Sequence, residues 1–244
     1  MSRLAVVAGH TLIGTPFAAN ARRVEVETPF GQVSVLDGGS FVYLPRHGLD
    51  AYAAPHAIDH AAHMSALREA GCDRVLAIGS AGSLRADLRV GAFVAPADFI
   101  SLAVRATIHD DAKGHRVPGF DLEWRGVLLD AFAAAGLPVR DGGVYWQAEG
   151  PRFETPAEVR IIARDADLVG MTIASESVIA AEVGLRYAAV CSIDNLANGV
   201  ARAPLSITEY EAGRAANRER AQHALAQVVP ALAGPPPPPQ QRPR

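Results

Sequence analysis

The chain has 244 residues, 49% of them hydrophobic, which is enough to bury a substantial core in a single α/β domain. Its formal net charge is -3 and no cluster of lysine or arginine stands out, so it offers no basic surface to a nucleic acid. No apolar run approaches the roughly 20 residues of a membrane helix, and the first residues lead directly into a predicted strand rather than a signal peptide. We therefore expect a cytoplasmic protein with no nucleic acid or membrane partner.

Secondary structure follows from the spacing of apolar residues. Short β-rich runs predict strands at residues 4–8, 24–27, 33–37, 41–44, 74–78, 92–95, 144–148, 168–171 and 187–193, and periodic patterns predict helices at 55–70, 123–135, 156–164, 176–183 and 207–232. The alternation of strands and helices in the second half implies a partly parallel sheet. We predict an α/β fold: one domain over residues 1–233, with a central mixed sheet flanked by helices. The Pro-rich residues 234–244 predict a disordered tail.

Two helix starts carry a capping box. Thr155 precedes Pro156 and stands three residues before Glu158, and Ser206 stands three residues before Glu209. A hydroxyl at the N-cap can accept from a backbone N–H while the glutamate returns a hydrogen bond to the cap. Both glutamates are therefore predicted to be structural.

The cysteines and histidines predict neither a disulfide nor a metal site. Cys72 and Cys191 are lone thiols in apolar surroundings without C-x-x-C spacing, which is typical of a reducing compartment. His56, His60 and His63 are spaced to share one helix face. No H-E-x-x-H motif or evident carboxylate ligand accompanies them, so no metal is predicted.

Three segments after predicted strands could bind an anion. Residues 8–14, Ala-Gly-His-Thr-Leu-Ile-Gly, form a glycine-containing turn whose N–H groups and hydroxyl could converge on phosphate. Arg46 can offer paired donors to an oxyanion, with His47 beside it. Gly79 and Ser80 allow close approach to the backbone and supply a hydroxyl. The structural alternatives are a surface Arg-His pair and tight turns that need glycine.

Two polar residues could recognise a purine. Phe153 offers a flat apolar face, and Glu154 can accept hydrogen bonds from a purine N1–H and 2-amino group. The Asn195 amide can accept from a protonated N7 and donate to O6 at once. The alternatives are a core phenylalanine, a solvated glutamate and a polar strand end. Asp194 stands beside Asn195, and the sequence leaves open which of the two faces the base.

These motifs resemble one enzyme family. The chain reads Glu-Gly-Pro-Arg-Phe-Glu-Thr at 149–155, Gly-Met-Thr at 170–172, Ser-Ile-Asp-Asn at 192–195 and Arg-His-Gly at 46–48. This spacing resembles the trimeric purine nucleoside phosphorylase and methylthioadenosine phosphorylase family, from about residue 4 to about residue 232. Among its branches the chain is most similar to bacterial enzymes that act on 6-oxopurine nucleosides, such as methylthioinosine phosphorylase.

The resemblance implies a role for each matching residue. Asn195 and Glu154 would be catalytic, and the phosphate-binding set would be His10, Thr11, Arg46, His47, Gly79, Ser80 and Thr172. Phe153, Met171, Asn195 and Ala197 would bind the substrate. The family usually has Gly-Gly-Thr-Gly or Gly-Gly-Ser-Gly in the first turn, so either His10 donates to the anion or Thr11 turns inward.

The same resemblance favours a 6-oxopurine. Methylthioadenosine phosphorylases typically have Ser where this chain has Glu154, and adenine-specific relatives usually have Asp where it has Asn195. The implied reaction is reversible phosphorolysis with inorganic phosphate as co-substrate and no other cofactor, in a homotrimer or a multiple of one. A methylthioadenosine phosphorylase, a nucleoside hydrolase and a non-catalytic nucleoside-binding protein are the alternatives.

The resemblance also implies a contact between subunits. In the family, the loop that corresponds to residues 109–121 crosses to a neighbouring subunit and covers the 5' end of the sugar. His115 and Phe120 are the two candidates in this chain.

Overall fold

The computed structural model describes residues 3–9, 20–201 and 205–234. The predicted phosphate-binding residues His10 and Thr11 therefore lie outside the described residues, as does the Pro-rich tail from residue 235 onward. None of the helices in these three described ranges is both long and apolar enough to cross a membrane.

The described ranges contain eleven strands and five α-helices. The strands are β1 (Leu4–Ala8), β2 (Arg22–Thr28), β3 (Gly31–Asp37), β4 (Phe41–Pro45), β5 (Arg74–Ser83), β6 (Phe93–Ala95), β7 (Asp98–Ile100), β8 (Val139–Asp141), β9 (Val144–Gln147), β10 (Leu168–Gly170) and β11 (Arg186–Leu196). The helices are α1 (His60–Glu69), α2 (Leu122–Ala134), α3 (Pro156–Ile162), α4 (Ile173–Glu182) and α5 (Ile207–Leu232). Short 3₁₀ turns occur at Pro55–Ala57 and Ala112–Gly114.

The strands form one mixed sheet, as predicted. Its path runs β2-β3-β4-β1-β5-β10-β9-β7, and β11 pairs with both β5 and β6. The centre is parallel, since β1 pairs in parallel with β4 and β5, and β5 pairs in parallel with β11. Parallel strands covered on both faces read as continuous apolar runs, and all five residues of β1 are buried. The carboxyl ends of β1, β4, β5 and β11 consequently meet at one edge.

Helices cover both faces of the sheet. Met64 of α1 and Ile179 of α4 belong to the core on one face. Trp124 of α2 and Leu225 of α5 belong to the core on the other. The indole N–H of Trp124 donates to the Val75 carbonyl oxygen at 2.7 Å, so this large side chain is buried with its polar atom satisfied.

Several predicted boundaries were wrong, and strands β7 and β8 were not predicted. Helix α4 begins at Ile173 rather than at residue 176. The helix predicted from residue 55 begins at His60, because residues 55–57 form a separate 3₁₀ turn and Asp59 caps α1 by accepting from the Ala62 N–H at 2.8 Å. The glycine-containing turn expected after residue 78 is instead the second half of β5. Neither Gly79 nor Gly82 has a positive φ. Glycine serves close packing there, since a Cβ on Gly79 would lie 3.0 Å from the Cys191 sulfur.

The predicted helix caps are present. Thr155 and Glu158 form both hydrogen bonds of the capping box at the start of α3. At the start of α5, the Ser206 hydroxyl accepts from the Glu209 N–H at 3.1 Å, but the return hydrogen bond from the Glu209 side chain that completes a capping box is not formed. These caps matter for the site because residues next to each one line the same pocket.

Candidate active site

One pocket at the carboxyl edge of the sheet gathers most of the predicted site residues. Those in its lining are Arg46, His47, Ser80, Phe153, Glu154, Met171, Thr172, Asn195 and Ala197. A crevice outside the carboxyl ends of parallel strands is where α/β proteins bind ligands. Gly79 is buried behind the lining, against the protein core rather than in the pocket.

Arg46 is 2% exposed and forms a buried ion pair with Glu176. Its Nε donates to one carboxylate oxygen, and its Nη2 donates to the other at 2.8 Å. Burial alone would raise the pKa of Glu176, but the charge and hydrogen bonds of Arg46 outweigh it and hold that pKa below its usual value. The hydroxyl of Tyr187 donates to the same carboxylate at 2.6 Å. The paired donors of Arg46 therefore bind Glu176 rather than facing a ligand.

One nitrogen of Arg46 still reaches the end of the pocket next to Gly9 and His47. We call this the phosphate end, because the sequence analysis predicts that phosphate binds there. Nη1 donates to the Ile78 carbonyl oxygen at 3.0 Å, and a Cβ added to Gly9 would lie 3.2 Å from it. Because Nη1 carries two hydrogens, one N–H remains for an anion bound near Gly9. Of the two N–H groups of Arg46 that remain, the one on Nη1 is the donor placed near Gly9, and Glu176 balances the charge of Arg46.

His47 is held in a fixed orientation beside the same glycine. Its Nδ1 lies 2.7 Å from the Ala53 carbonyl oxygen, which can only accept, so Nδ1 carries the proton. The ring stacks on Tyr52 with 5.0 Å between centroids. Nε2 faces Gly9 and can donate to phosphate when the ring is protonated, or accept from a phosphate O–H when it is neutral.

The start of α4 completes this end of the pocket. Thr172 is the N-cap residue of α4, and its hydroxyl makes no capping hydrogen bond. Its backbone N–H donates to the Tyr145 hydroxyl at 3.3 Å, and the Ser175 N–H donates to Gln147 Oε1 at 2.9 Å. These two backbone donors are used internally. Thr172 lines the pocket, so its hydroxyl is a group that this turn can present to a ligand.

A β-bulge decides which of two neighbouring polar residues enters the pocket. Ile193 pairs with Ala81 and Asn195 pairs with Gly82, so Asp194 is the extra residue in β11. An extra residue shifts the alternation of side chains and can redirect one toward a ligand. Asn195 lines the pocket, whereas Asp194 does not.

Asp194 instead organises the strand ends behind the pocket. It accepts hydrogen bonds from the hydroxyls of Ser80 and Ser192, and from Asn217 Nδ2 at 2.6 Å. Burial raises its pKa, although these three hydrogen bonds act in the opposite direction. Because Ser80 gives its hydroxyl proton to Asp194, its oxygen is left as an acceptor. An acceptor suits a sugar hydroxyl better than a phosphate oxygen.

The end of the pocket that contains Glu154 and Asn195 is called the base end, because the sequence analysis predicts that a purine binds there. It contains polar atoms that have no partner among the described residues. Glu154 Oε1 is buried without a hydrogen bond, and burial raises the pKa of this carboxyl. Asn195 is 4% exposed, and its Nδ2 donates to the Leu196 carbonyl oxygen at 2.9 Å. One N–H and Oδ1 of the Asn195 amide remain. Both side chains are therefore available to a ligand.

Helix α5 adds two pocket residues that the sequence analysis did not select. Tyr210 meets Phe153 edge to face, with 5.0 Å between ring centroids. The guanidinium of Arg214 lies over the Tyr210 ring at 5.6 Å. Their i, i+4 spacing places them on one helix face, and this spacing next to the Ser206 cap is the signal that could have identified them.

The three spaced histidines lie outside this pocket. His56 and His60 line a neighbouring cavity, and the Nδ1 atoms of His60 and His63 are buried. Burial lowers the pKa of His60 to about 4, although the nearby Glu176 acts in the opposite direction. Within the three described ranges, no group of three His, Cys, Asp or Glu side chains could hold a metal ion.

One candidate for a contact with a neighbouring subunit is buried within its own subunit. Phe120 is 6% exposed and stacks on Tyr187, with 6.3 Å between ring centroids. It also meets Phe99 edge to face at 5.6 Å. A side chain packed in this way is not available to cover a sugar in another subunit.

Comparison with known proteins places this pocket in a family. A family model described as "Phosphorylase superfamily" matches residues 2–230. The chain belongs to this superfamily. The match covers every strand and nearly all of α5, so both walls of the pocket lie within it. The family predicted from the motifs is thereby confirmed.

Individual relatives with a curated name show which members of the superfamily the chain is similar to. The chain is 38% identical over 202 residues to the "Probable 6-oxopurine nucleoside phosphorylase" of Archaeoglobus fulgidus, which covers 81% of this chain and 83% of that one. It is 35% identical over 191 residues to the "Probable S-methyl-5'-thioinosine phosphorylase" of Methanocaldococcus jannaschii, covering 75% of each. Methylthioadenosine phosphorylase from Schistosoma mansoni in complex with adenine has a TM-score of 0.80 at 22% identity, covering 95% of this chain and 92% of that one. This last likeness confirms the fold.

Proposed function

We propose that the protein catalyses phosphorolysis of 6-oxopurine nucleosides: inosine, guanosine or 5'-methylthioinosine. The products are the free base and ribose 1-phosphate or its 5'-modified analogue, which makes the enzyme a pentosyltransferase. The observation that carries the proposal is that two side chains of the pocket keep hydrogen-bonding capacity among the described residues: Glu154 Oε1, which has no partner, and the N–H and Oδ1 of Asn195 that remain beside its hydrogen bond to Leu196. Together they match the N1–H, O6 and N7 of a 6-oxopurine. The names of the curated relatives support it.

The proposed mechanism assigns each end of the pocket one charge to stabilise. Breaking the glycosidic bond leaves positive charge on the ribose and negative charge on the purine. Phosphate held under the sugar stabilises the first. Protonation of N7 neutralises the second, and the Asn195 amide stabilises the leaving base by accepting a hydrogen bond from N7–H while it donates one to O6. Glu154 orients the base through N1–H, and Phe153 packs against the ring.

The proposed phosphate site uses one Nη1 hydrogen of Arg46, the His47 ring and the Thr172 hydroxyl. All three groups line the same pocket. His10 and Thr11 remain proposed contacts from the adjoining turn. The reaction requires inorganic phosphate as co-substrate and, in this proposal, no other cofactor or metal. Met171 and Ala197 would contact the nucleoside, and Ser80 would accept from a sugar hydroxyl.

We further propose a cytoplasmic homotrimer, or a multiple of one, that serves purine salvage. The family resemblance supports the assembly and the pathway. The thiols of Cys72 and Cys191 support the compartment: both are free and buried, and burial is the main cause that raises the pKa of each to about 12. Neither thiol is placed to form a disulfide.

The test is release of base from inosine, guanosine and adenosine, each with and without phosphate, by wild type and by Asn195→Asp. We expect phosphate-dependent cleavage of the 6-oxopurines by wild type. The variant should shift the ratio of kcat/KM toward adenosine by about 10- to 100-fold, because a carboxylate accepts from a 6-amino group but cannot donate to O6.

Three results would contradict parts of this proposal. An unchanged ratio in the variant would remove Asn195 from base recognition. Cleavage confined to adenosine would favour an adenine-directed enzyme, and binding of nucleosides without any release of base would favour a non-catalytic binding protein.

A further inference from the structure

The α5 wall of the pocket carries a cation that the proposed mechanism does not use. Arg214 lines the pocket and is half-buried over the Tyr210 ring. Within the part of the chain that the structure describes, it makes no hydrogen bond or ion pair. Asp194 lies close enough to sense its charge but already accepts three hydrogen bonds from other side chains. A guanidinium held by a cation–π contact keeps its N–H donors for a ligand.

Contacts between aromatic rings relate Arg214 to the two ends of the pocket. On one side Tyr52 stacks on His47, at the phosphate end. On the other side Tyr210 meets Phe153, at the base end. Tyr52 lies within electrostatic range of both Tyr210 and Arg214. Arg214 therefore lies on the α5 wall of the pocket, next to the aromatic pair at the base end and within electrostatic range of Tyr52.

The stereochemistry of a nucleoside directs its 5' group away from the phosphate. In a β-nucleoside, C5' and the base project from the same face of the ribose ring, whereas phosphate attacks C1' from the opposite face. With the base at Glu154 and Asn195 and phosphate near Gly9, the 5' group leaves the ribose on the side away from Gly9. Tyr210 and Arg214 of α5 are the pocket residues that we assign to that side.

The chemistry of the guanidinium then discriminates between 5' groups. A guanidinium only donates, so it requires an acceptor. A 5'-hydroxyl or 5'-phosphate ester provides an oxygen, whereas a thioether sulfur is a weak acceptor. The methyl group of a methylthio substituent would also displace water from the cation without replacing its hydrogen bonds.

We propose that Arg214 is a specificity-determining residue that donates to an oxygen substituent at C5', so that the enzyme prefers 5'-hydroxyl or 5'-phosphorylated 6-oxopurine nucleosides to 5'-methylthio ones. The inference rests on the proposed function and narrows it. Among the names that its curated relatives carry, it favours 6-oxopurine nucleoside phosphorylase over methylthioinosine phosphorylase.

The experiment compares wild type with Arg214→Met on inosine, 5'-deoxyinosine, 5'-methylthioinosine and inosine 5'-monophosphate. We expect wild type to prefer inosine to 5'-deoxyinosine by about 10- to 100-fold in kcat/KM, the range of a hydrogen bond to a charged donor. In the variant this ratio should fall to within about threefold of one, while the KM for phosphate stays the same. Arg218→Met, an exposed position one turn further along α5, is the matched control and should behave like wild type.

A second measurement separates the inference from the proposed function. Calorimetric Kd values for inosine and 5'-deoxyinosine, measured without phosphate, should show the same loss of discrimination in Arg214→Met whether or not turnover occurs. Wild type that binds with this discrimination but never releases base would contradict the proposed function and support the inference.

The remaining outcomes bear on the inference alone. A preference for inosine 5'-monophosphate that disappears in the variant would identify the 5' oxygen as that of a phosphate ester, and a preference for inosine would identify a hydroxyl. An unchanged inosine to 5'-deoxyinosine ratio in the variant would overturn the inference. So would a change confined to the KM for phosphate, or failure of wild type to bind either nucleoside.

Discussion

The two ends of the pocket differ in how far their polar groups are satisfied by the protein itself. At the phosphate end, Arg46 and Glu176 bind each other, and Tyr187 donates to the same carboxylate. At the base end, Glu154 Oε1 is buried without a partner among the described residues, and one N–H and Oδ1 of the Asn195 amide remain unused. The first arrangement fixes the shape of the site in advance. The second keeps buried hydrogen-bonding capacity for a ligand, at some cost in stability of the unliganded protein.

The largest effect is expected at the satisfied end. Replacing Glu176 with Ala leaves Arg46 buried without its counter-charge, which should lower the free energy of unfolding by about 3–5 kcal/mol. Urea unfolding at pH 7 measures this. The control is the triple variant Arg46→Met, Glu176→Met and Tyr187→Phe, which removes all three polar partners and should recover most of the loss.

That triple variant also sharpens the assignment of Arg46. If it folds but its KM for phosphate rises at least tenfold, the Nη1 N–H that Arg46 directs toward Gly9 contributes to phosphate binding. A stable triple variant with an unchanged KM for phosphate would leave Arg46 only a structural role.

An intermediate effect is expected at the unsatisfied end. Glu154→Gln should lower kcat/KM for inosine by about 10- to 100-fold, because it removes the charge from an acceptor of the purine N1–H. The same change should raise the thermal unfolding temperature at pH 7. Burial raises the folded-state pKa of Glu154, so the stability this carboxyl contributes is present below its unfolded pKa and lost as pH rises through the folded one.

The pH dependence of stability and of kcat/KM distinguishes the loss of the Glu154 charge from a nonspecific effect of the substitution. The stability advantage of Glu154→Gln should disappear near pH 4, and wild-type kcat/KM should fall at acid pH as Glu154 is protonated. Glu158→Gln is the matched control with the opposite sign, since hydrogen bonds from Arg152 and the Thr155 N–H lower the Glu158 pKa to about 2. Loss of the Glu158 charge should therefore destabilise the protein at pH 7. If both variants changed the stability at pH 7 in the same direction, the predicted difference between the Glu154 and Glu158 carboxyl groups would be wrong.

The smallest effect concerns His60, which lies near the Arg46 and Glu176 pair. Its folded-state pKa of about 4 is below the unfolded value, so the unfolded chain takes up a proton first as the pH falls. Stability should therefore decrease by about 1 kcal/mol from this group between pH 7 and pH 5.5. His60→Gln should flatten that slope, and the exposed His56→Gln should not. A slope that is the same in all three proteins would show that His60 does not set it.

Local sequence patterns predicted most of the fold. The strand at residues 4–8 was predicted with its observed bounds, and the helix from residue 207 to 232 likewise. Strands β7 and β8 were not predicted, and α4 begins three residues earlier than predicted. A further difference arises where a residue has more than one physical use. A tight turn was the structural alternative for the glycines after residue 78, but in β5 the glycine at position 79 allows Cys191 and Ile173 to approach closely. Periodicity alone cannot distinguish these two uses of glycine.

The candidate site was predicted as a set of residues rather than as a geometry. The choice between Asp194 and Asn195 depended on a bulge in β11, which only the pairing with β5 reveals. Arg46 was predicted with its paired donors toward phosphate, but those donors bind Glu176, 130 residues away in the chain. Arg214 has no local signal in the sequence, since a cation on a helix is usually solvated, and only its position over Tyr210 in the pocket lining suggests a ligand.

The sequence by itself determined the fold class, the order of the five α-helices and of nine of the eleven strands, and which chemical groups stand after which of those strands. Those properties follow from apolar periodicity and caps, which are local along the chain. The tertiary structure decided which of those groups neutralise one another and which remain for a ligand. Hydrogen bonds such as those joining Ser80 to Asp194, or Arg46 to Glu176, connect residues more than 100 positions apart. Such pairings depend on how the strands are ordered in the sheet, and no local pattern records that order.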